Sequence, residues 1–371
     1  AVDVPQMWRE TFTNGIKVLA TQSSETPTTS ILIKIPAGHY FEDKDKAGTA
    51  ALLAAMLNES TTKRSAEDMS KALQKLGASV GISAGNSYLA ININALTKHI
   101  DATLALVYEK LTAPAFLPNE LSDIKALYQQ QVKAKGSEII LVSDLDKSSV
   151  LKSLSIFKSL TGEGKALTLN LPESNAKRGV IYLVNKDNAA QSAIRIGKRS
   201  LTEDVTGEYY RAYLMNFPLG GAFNSRINLN LREDKGYTYG ARSYFYGDKF
   251  SGTYTASAEV RADVTDKSIV EFVEEIKRYA EQGISDEELA FMRSAINQKD
   301  ALKYETPSRK LGFLAQILEH DLTSDFVKER NDIVANISKA EINALAKKHL
   351  NLSEMLMVVV GDAKTLKPQL Q

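Results

Sequence analysis

LREDKGYTYG, Leu231–Gly240, places Arg232 and Tyr239 seven positions apart, where an amphipathic segment ends and a strand-like one begins. The tyrosines fall in two pairs, Tyr237 with Tyr239 and Tyr244 with Tyr246, each at the two-residue spacing of a pleated strand. The rest of the 371 residues offers no cluster of metal ligands, no nucleophile beside a base and no phosphate loop. The chain reads as one half of a catalytic apparatus.

The totals set the frame. This length is too great for one typical core and predicts about two domains. The apolar fraction, 43%, is that of an ordinary globular protein. Basic and acidic residues nearly cancel, 46 against 45, which argues against nucleic acid as a partner. There are no cysteines, so disulfides, thiolate zinc sites and cysteine nucleophiles are excluded. The longest apolar run, Ala50–Leu57, is far short of the about 20 residues that span a bilayer. The opening AVDVPQMW lacks a basic-then-apolar signal pattern, as expected after signal removal or in a piece of a longer chain.

The chain echoes itself. The alternating strand from Ser30 to Ile35 returns about 161 positions later as Ser192–Ile196. A helix opening at Asn119-Glu-Leu-Ser-Asp has its counterpart at Ser285-Asp-Glu-Glu-Leu, with Leu121 and Leu289 about 168 apart. Ser285 and Glu288 have capping-box spacing, as do Ser338 and Glu341. EIILVSD (Glu138–Asp144) resembles MLMVVVGD (Met355–Asp362), but the offset jumps to about 218. The first half is therefore about 50 residues shorter than its repeat, with a seam at Lys135-Gly136-Ser137. The second half fills that interval with helical patterns at Ser308–His320, Asp325–Ala335 and Lys339–His349.

Local signals agree. Asn14-Gly15 predicts a tight hairpin turn. Lys46–Asn58 and Ser65–Leu76 predict helices, the second capped by Ser65 and stopped by Gly77. Val80–Ala84 and Tyr88–Leu96 alternate as strands, and Pro172–Asn175 reads as a linker. The fold expected is α+β, with two tandem homologous domains, 1–171 and 176–371, each a mainly antiparallel sheet packed with helices.

These residues resemble the M16 family of zinc metallopeptidases, the pitrilysin, insulysin and mitochondrial processing peptidase group. Thr13–Ala20 looks like its opening hairpin, and Ala37–Leu57 like the segment leading into its zinc helix. LGGAFNSRINLNLREDKGYTYG, Leu219–Gly240, resembles its C-terminal-domain motif, with Ser225, Arg226, Arg232, Gly236 and Tyr239 in place. The family binds zinc through H-x-x-E-H on one helix. Positions i and i+4 share a helix face and reach one metal, while the intervening glutamate serves as general base. Aligned on Gly48 and Met56-Leu57, those three positions are Ala51, Ala54 and Ala55. The further glutamate ligand falls in Gln129-Gln130-Gln131, and an amide is a poor substitute for a carboxylate on zinc. The four histidines, His39, His99, His320 and His349, stand at no ligand spacing from one another. Glu319-His320 imitates the end of the motif, but Gln316 takes the place of its first histidine.

In the family, an arginine and a tyrosine at this spacing bind the peptide and stabilise the reacting carbonyl; the resemblance gives these roles to Arg232 and Tyr239. Arginine offers a fixed fork of donors, and a tyrosine hydroxyl can donate to a developing oxyanion. The plain structural reading stands beside this one: Arg232 pairing with Glu233 or Asp234 at a helix end, and Tyr239 or Tyr237 packing in a strand. Gly220-Gly221 reads as a turn needing unusual backbone angles, and Glu271, Glu274 and Glu275 as the solvated face of a helix.

The resemblance then implies a zinc-free, non-catalytic M16 half, inactive alone. Its partner, a separate H-x-x-E-H-bearing subunit or a fused N-terminal half, would hold the zinc, and the two would enclose a peptide substrate. The alternatives are a structural or assembly subunit, as the related mitochondrial core proteins are, and a peptide-binding module with no peptidase role. Analogy with short bacterial members places it in the periplasm.

Overall fold

The computed structural model describes residues 3–116 and 122–371. The first half of the chain supplies strands β1 (Met7–Thr11), β2 (Lys17–Gln22), β3 (Thr28–Ile35), β4 (Ser79–Ala84), β5 (Leu89–Leu96) and β6 (Glu138–Ser143). Its helices are α1 (Thr49–Asn58), α2 (Ala66–Lys75), α3 (Ile100–Thr112), α4 (Ser122–Gln131) and α5 (Lys147–Ser153). The second half supplies β7 (Ile181–Asn185), β8 (Gln191–Arg199), β9 (Thr238–Gly247), β10 (Gly252–Arg261) and β11 (Leu356–Gly361). Its helices are α6 (Glu208–Asn216), the single turn α7 (Arg226–Asn228), α8 (Thr265–Gln282), α9 (Asp286–Ala301), α10 (Pro307–Glu319), α11 (Phe326–Asn336), α12 (Lys339–His349) and α13 (Ala363–Leu370).

The duplication is visible in the strand order, β1-β2-β6-β3-β5-β4 in one sheet and β7-β11-β8-β10-β9 in the other. In each, one parallel pair (β2 with β6, β7 with β11) adjoins an otherwise antiparallel sheet. The fold is α+β, as expected. Asn14-Gly15 makes the β1–β2 turn, with Gly15 at φ +91° and Phe12 bonded to Ile16. The capping boxes form: Ser338 Oγ accepts from the Glu341 N–H at 3.1 Å while Glu341 accepts from Ser338, and Ser285 and Glu288 bond reciprocally in the same way. Helix α1 starts three residues later than expected, at Thr49, because Gly48 at φ +97° is left-handed. The expected helix opening at Asn119, and Leu121 with it, lies outside the described residues.

The chain forms two compact units, and their boundary differs from a single cut near residue 171. The first comprises Ala1–Asn170 with Ala301–Asp321, the second Leu171–Asp300 with Leu322–Gln371. Helix α10, expected in the second domain, belongs to the first, where it packs on β2, β3 and β6. The physical reason lies in its apolar side chains. Phe313, Leu314 and Ile317 are buried, covering a sheet face on which Leu19 and Ile140 are 0% exposed. Lys34 pairs with Glu319, at 3.7 Å, and Lys310 with Glu25, at 3.5 Å, at either end of the helix. The opposite face of that sheet buries Ile31, Ile33, Ile91, Ile93 and Ile139 against α1 and α3. In the second unit the core lies between the sheet (Ile194, Ile196, Tyr254, Val359) and helices α6, α8 and α12.

Candidate functional site

Helix α1 stands where the resemblance puts the zinc helix and carries no histidine, cysteine or carboxylate. Glu42 caps it, accepting from Gly48 N–H at 3.2 Å and Ala50 N–H at 2.9 Å, which sets a negative charge against the helix N-terminus. At the other end Asn58 clasps β4 like a backbone unit: Nδ2 donates to Ile82 O at 2.8 Å, and Oδ1 accepts from Ile82 N–H at 3.0 Å. Ala51 and Ala55 lie on the exposed side beside Leu52, and Ala54 is 3% exposed. Methyl groups cannot ligate zinc, so these residues do not fit the family's metal. Among the described residues, no three His, Cys, Asp or Glu side chains come together as a metal would require. His39 meets Glu42, and buried His349 meets Glu208 at 2.8 Å, so each is engaged by a carboxylate of its own surroundings.

Of the glutamines at the further ligand position, Gln130 is exposed and Gln131 is buried. Gln131 works as a structural amide. Its Nε2 donates to Pro36 O at 2.9 Å, and its Oε1 accepts from Lys165 N–H at 2.8 Å. It thereby ties the irregular segment after Leu160 to the turn before α1. The seam at Lys135–Ser137 is a tight turn with Gly136 at φ +90°, feeding β6 directly from α4.

The segment Leu219–Gly240 folds as a scaffold for two side chains. Two widened helical turns, Phe217–Gly221 and Leu229–Asp234, flank α7. Gly220 lacks the positive φ expected of it; it is needed for space. A Cβ there would lie 2.1 Å from Ser243 Oγ. Asn216 fixes this close approach, donating to Ser243 O at 2.7 Å and accepting from Ser243 Oγ at 2.6 Å. Asn228 joins the loop to β9, donating to Phe223 O and accepting from Ala241 N–H. Arg226 braces the segment against α9. Its guanidinium makes a fork to Glu288, at 2.6 and 2.7 Å, and lies 4.8 Å from the Tyr279 ring centre.

Arg232 stands on the second widened turn, paired with Glu233 and 4.6 Å from the ring centre of Phe223. The turn closes through left-handed Gly236, with Tyr237 N–H donating to Leu231 O at 2.8 Å. Tyr237 packs against the core, whereas Tyr239 is 91% exposed. Strand parity alone would turn Tyr239 inward with Ala241 and Ser243. A β-bulge prevents it: Thr238 faces Val260 and Ala241 faces Ala258, so Tyr239 and Gly240 together oppose Glu259. Thr238 Oγ1 pins the bulge, accepting from Gly240 N–H at 3.1 Å and donating to Glu259 O at 2.6 Å. The bulge has no composition signal beyond Gly240.

Two hollows flank this segment within the second unit. One, about 430 Å³, is lined by Gly220, Gly221, Phe223, Gly240, Arg242 and Glu259. The other, about 720 Å³, is lined by Asn230, Asp234, Lys235 and the α8 acids Glu271, Glu274 and Glu275. Those acids are partly matched: Asn230 donates to Glu271 and Glu275, and Arg278 pairs with Glu275. Arg232 and Tyr239 line neither hollow. Among the described residues, no helix is long and apolar enough to cross a membrane.

Comparison with known proteins places this geometry. Residues 17–152 match the insulinase (peptidase family M16) model, and residues 120–296 match the peptidase M16 inactive domain model. The non-peptidase homolog YmxG of Helicobacter pylori is 22% identical over 405 positions, covering 94% of this chain and 92% of that protein. A peptidase M16 inactive domain from Pseudomonas fluorescens superposes with a TM-score of 0.86 at 19% identity, over 96% of this chain and 98% of that one. The periplasmic protease PqqL of Escherichia coli gives a TM-score of 0.76 at 13% identity, over 98% of this chain but 47% of that one. With both kinds of M16 domain matched and the fold shared across its length, the chain belongs to the M16 peptidase family.

Proposed function

We propose that the chain is a non-catalytic M16 half that offers Arg232 and Tyr239 to a zinc centre held elsewhere. The zinc-bearing H-x-x-E-H would come from a separate subunit or from a preceding half of one polypeptide, and the substrate is a peptide enclosed between the halves. One observation carries the reading. Helix α1, capped by Glu42 and clasped to β4 by Asn58, bears Ala51, Ala54 and Ala55, while a pinned bulge holds Tyr239 out in solvent in the same segment as Arg232. The E. coli relative, of which this chain spans about half, supports the one-polypeptide form. A periplasmic location is part of this proposal, and the E. coli relative, a periplasmic protease, supports it.

The test is reconstitution. The isolated chain binds no stoichiometric zinc and cleaves no peptide. With an M16 partner carrying H-x-x-E-H, peptide cleavage appears and falls about 10²–10³-fold in Tyr239→Phe and Arg232→Ala, the usual loss of one transition-state donor. Variants that assemble normally and cleave at the full rate defeat the assignment.

The ion pair of Arg232 with Glu233 favours a second reading, a structural or assembly subunit, because it occupies the guanidinium with the chain's own carboxylate. In that case the complex forms and neither variant changes its activity.

A further inference from the structure

Three neighbouring strands of the second sheet put Arg195, Ser257 and Arg242 in one row. Ser257 on β10 is the cross-strand partner of Arg195 on β8 and of Arg242 on β9, so all three side chains share a face. Glu259, two residues further along β10, lies on that face too and turns its carboxylate to Arg195, at 2.8 Å. Arg242 is left over. Among the described residues it has no carboxylate partner, and its guanidinium lies 5.3 Å from the ring centre of Tyr244.

Ser257 is the second anomaly of the row. It is 5% exposed, and among the described residues its hydroxyl has no hydrogen-bond partner. Buried hydroxyls are ordinarily satisfied, so one left open beside an unmatched guanidinium points to a group from outside the chain.

Both residues line the hollow of about 430 Å³. Arg195 and Arg242 against Glu259 leave it one positive charge in excess. Much of its wall is glycine, Gly220, Gly221 and Gly240, which leaves main chain uncovered and room for an incoming side chain. The hollow also adjoins both members of the candidate site. Gly240 follows Tyr239 in the bulge, and Phe223, another lining residue, is the ring 4.6 Å from the Arg232 guanidinium.

We propose that this hollow receives a carboxylate of the bound peptide, paired with Arg242 and accepting from the Ser257 hydroxyl, so that the chain selects peptides that are acidic at this point. The inference rests on the peptide-binding role proposed above and names the substrate class for it. An arginine fork is suited to a carboxylate, and a neutral hydroxyl beside it adds a donor without adding charge.

The probe is a set of three dye-labelled short peptides of one neutral sequence, titrated into the whole chain at low salt and followed by fluorescence anisotropy. The first has a central Glu and an amidated C-terminus, the second has Gln in its place, and the third is the Gln peptide with a free C-terminal carboxylate. The Glu peptide is expected to bind about three- to tenfold more tightly than its Gln twin, as a partly exposed charge-assisted bond allows, and the preference shrinks as salt is raised. Arg242→Gln, at an exposed position the fold tolerates, abolishes the preference and leaves the affinity of the Gln peptide unchanged. Ser257→Ala reduces the preference. Arg242→Glu sets two acids against Arg195 and turns the preference toward a Lys peptide, a reversal that a merely structural arginine would not produce. A third peptide as tight as the first assigns the site to a chain terminus; one as weak as the second assigns it to an acidic side chain. Equal affinity for all three, no binding at all, or a preference that survives Arg242→Gln overturns the proposal. Arg232→Ala separates it from the reading beneath it: if that variant weakens all three peptides while Arg242→Gln changes nothing, the peptide-binding role stands and the carboxylate site falls.

Discussion

Breaking the pair Arg226–Glu288 tests whether the Leu219–Gly240 segment is held from behind. The guanidinium makes two charge-assisted bonds, at 2.6 and 2.7 Å, and both side chains are about four-fifths buried, at 21% and 22% exposed. Exposed pairs contribute about 0–1 kcal/mol, and breaking a fully buried pair costs about 3–5. This pair sits between, so Arg226→Met is expected to cost about 2–3 kcal/mol, including the loss of the ring contact with Tyr279. Glu288→Gln keeps shape and loses charge, at a cost of about 1–2 kcal/mol. The pH dependence follows from the carboxylate. Burial pushes Glu288 up, but the bonds from Arg226 and the Ser285 N–H outweigh it, and the group titrates below the ordinary glutamate value. Between the folded and unfolded values the unfolded chain binds more protons, so this stability is complete above pH about 4.5 and lost as pH falls through the folded value. A double-mutant cycle in urea, read by circular dichroism, should give a coupling of about 1.5–2.5 kcal/mol at pH 7 that shrinks as the pH is taken below the ordinary glutamate value. A coupling below about 0.5 kcal/mol, or one insensitive to acid, would refute the bracing role.

Thr238→Val removes the hydroxyl that pins the bulge and should cost about 1 kcal/mol in urea denaturation, while Thr238→Ser stays near the parent; equal stability of all three would contradict the pin. Gln131→Ala strands Lys165 N–H and Pro36 O, with an expected cost of about 1–3 kcal/mol and faster limited proteolysis after Leu160; an unchanged cleavage pattern would count against it. Rebuilding the motif as Ala51→His, Ala54→Glu and Ala55→His should destabilise chiefly through Ala54, because that position is 3% exposed, whereas the two exposed positions accept histidine. Thermal scans of the single variants decide it, and an Ala54→Glu melting point equal to the parent's would show the position to be open.

What was legible in the sequence was local. Asn14-Gly15, Ser65, Ser338 with Glu341, and Gly77 act through neighbours in the chain, and each does in the fold what its residue type requires. The duplication was legible because repeated strands carry repeated side-chain patterns. The allegiance of α10 was not, since periodicity gives a helix its apolar face without saying which sheet the face will meet. Gly220 looked like a turn glycine because composition cannot separate a need for unusual angles from a need for space. Gln131 looked like a vacated ligand because a buried amide and a lost carboxylate occupy the same letter. The bulge at Tyr239-Gly240 depends on Glu259, about twenty positions away, and no local pattern announces it.

The same bulge separates the two members of the candidate site in readiness. Among the described residues Tyr239 has no competitor for its hydroxyl to shed, since it is held in solvent by backbone geometry fixed at Thr238. Arg232 must first give up Glu233, its neighbour in the chain. That pair is at the surface, with side chains 34% and 49% exposed, so it contributes at most about 1 kcal/mol and an incoming peptide carbonyl or carboxylate can displace it. Phe223, 63% exposed, would remain beneath the guanidinium throughout and keep its plane fixed while the partner changes. An arginine stacked on a ring and restrained by a weak pair is therefore closer to a binding group in reserve than to a structural one. The structural arginine of the same segment is Arg226, four-fifths buried and doubly bonded.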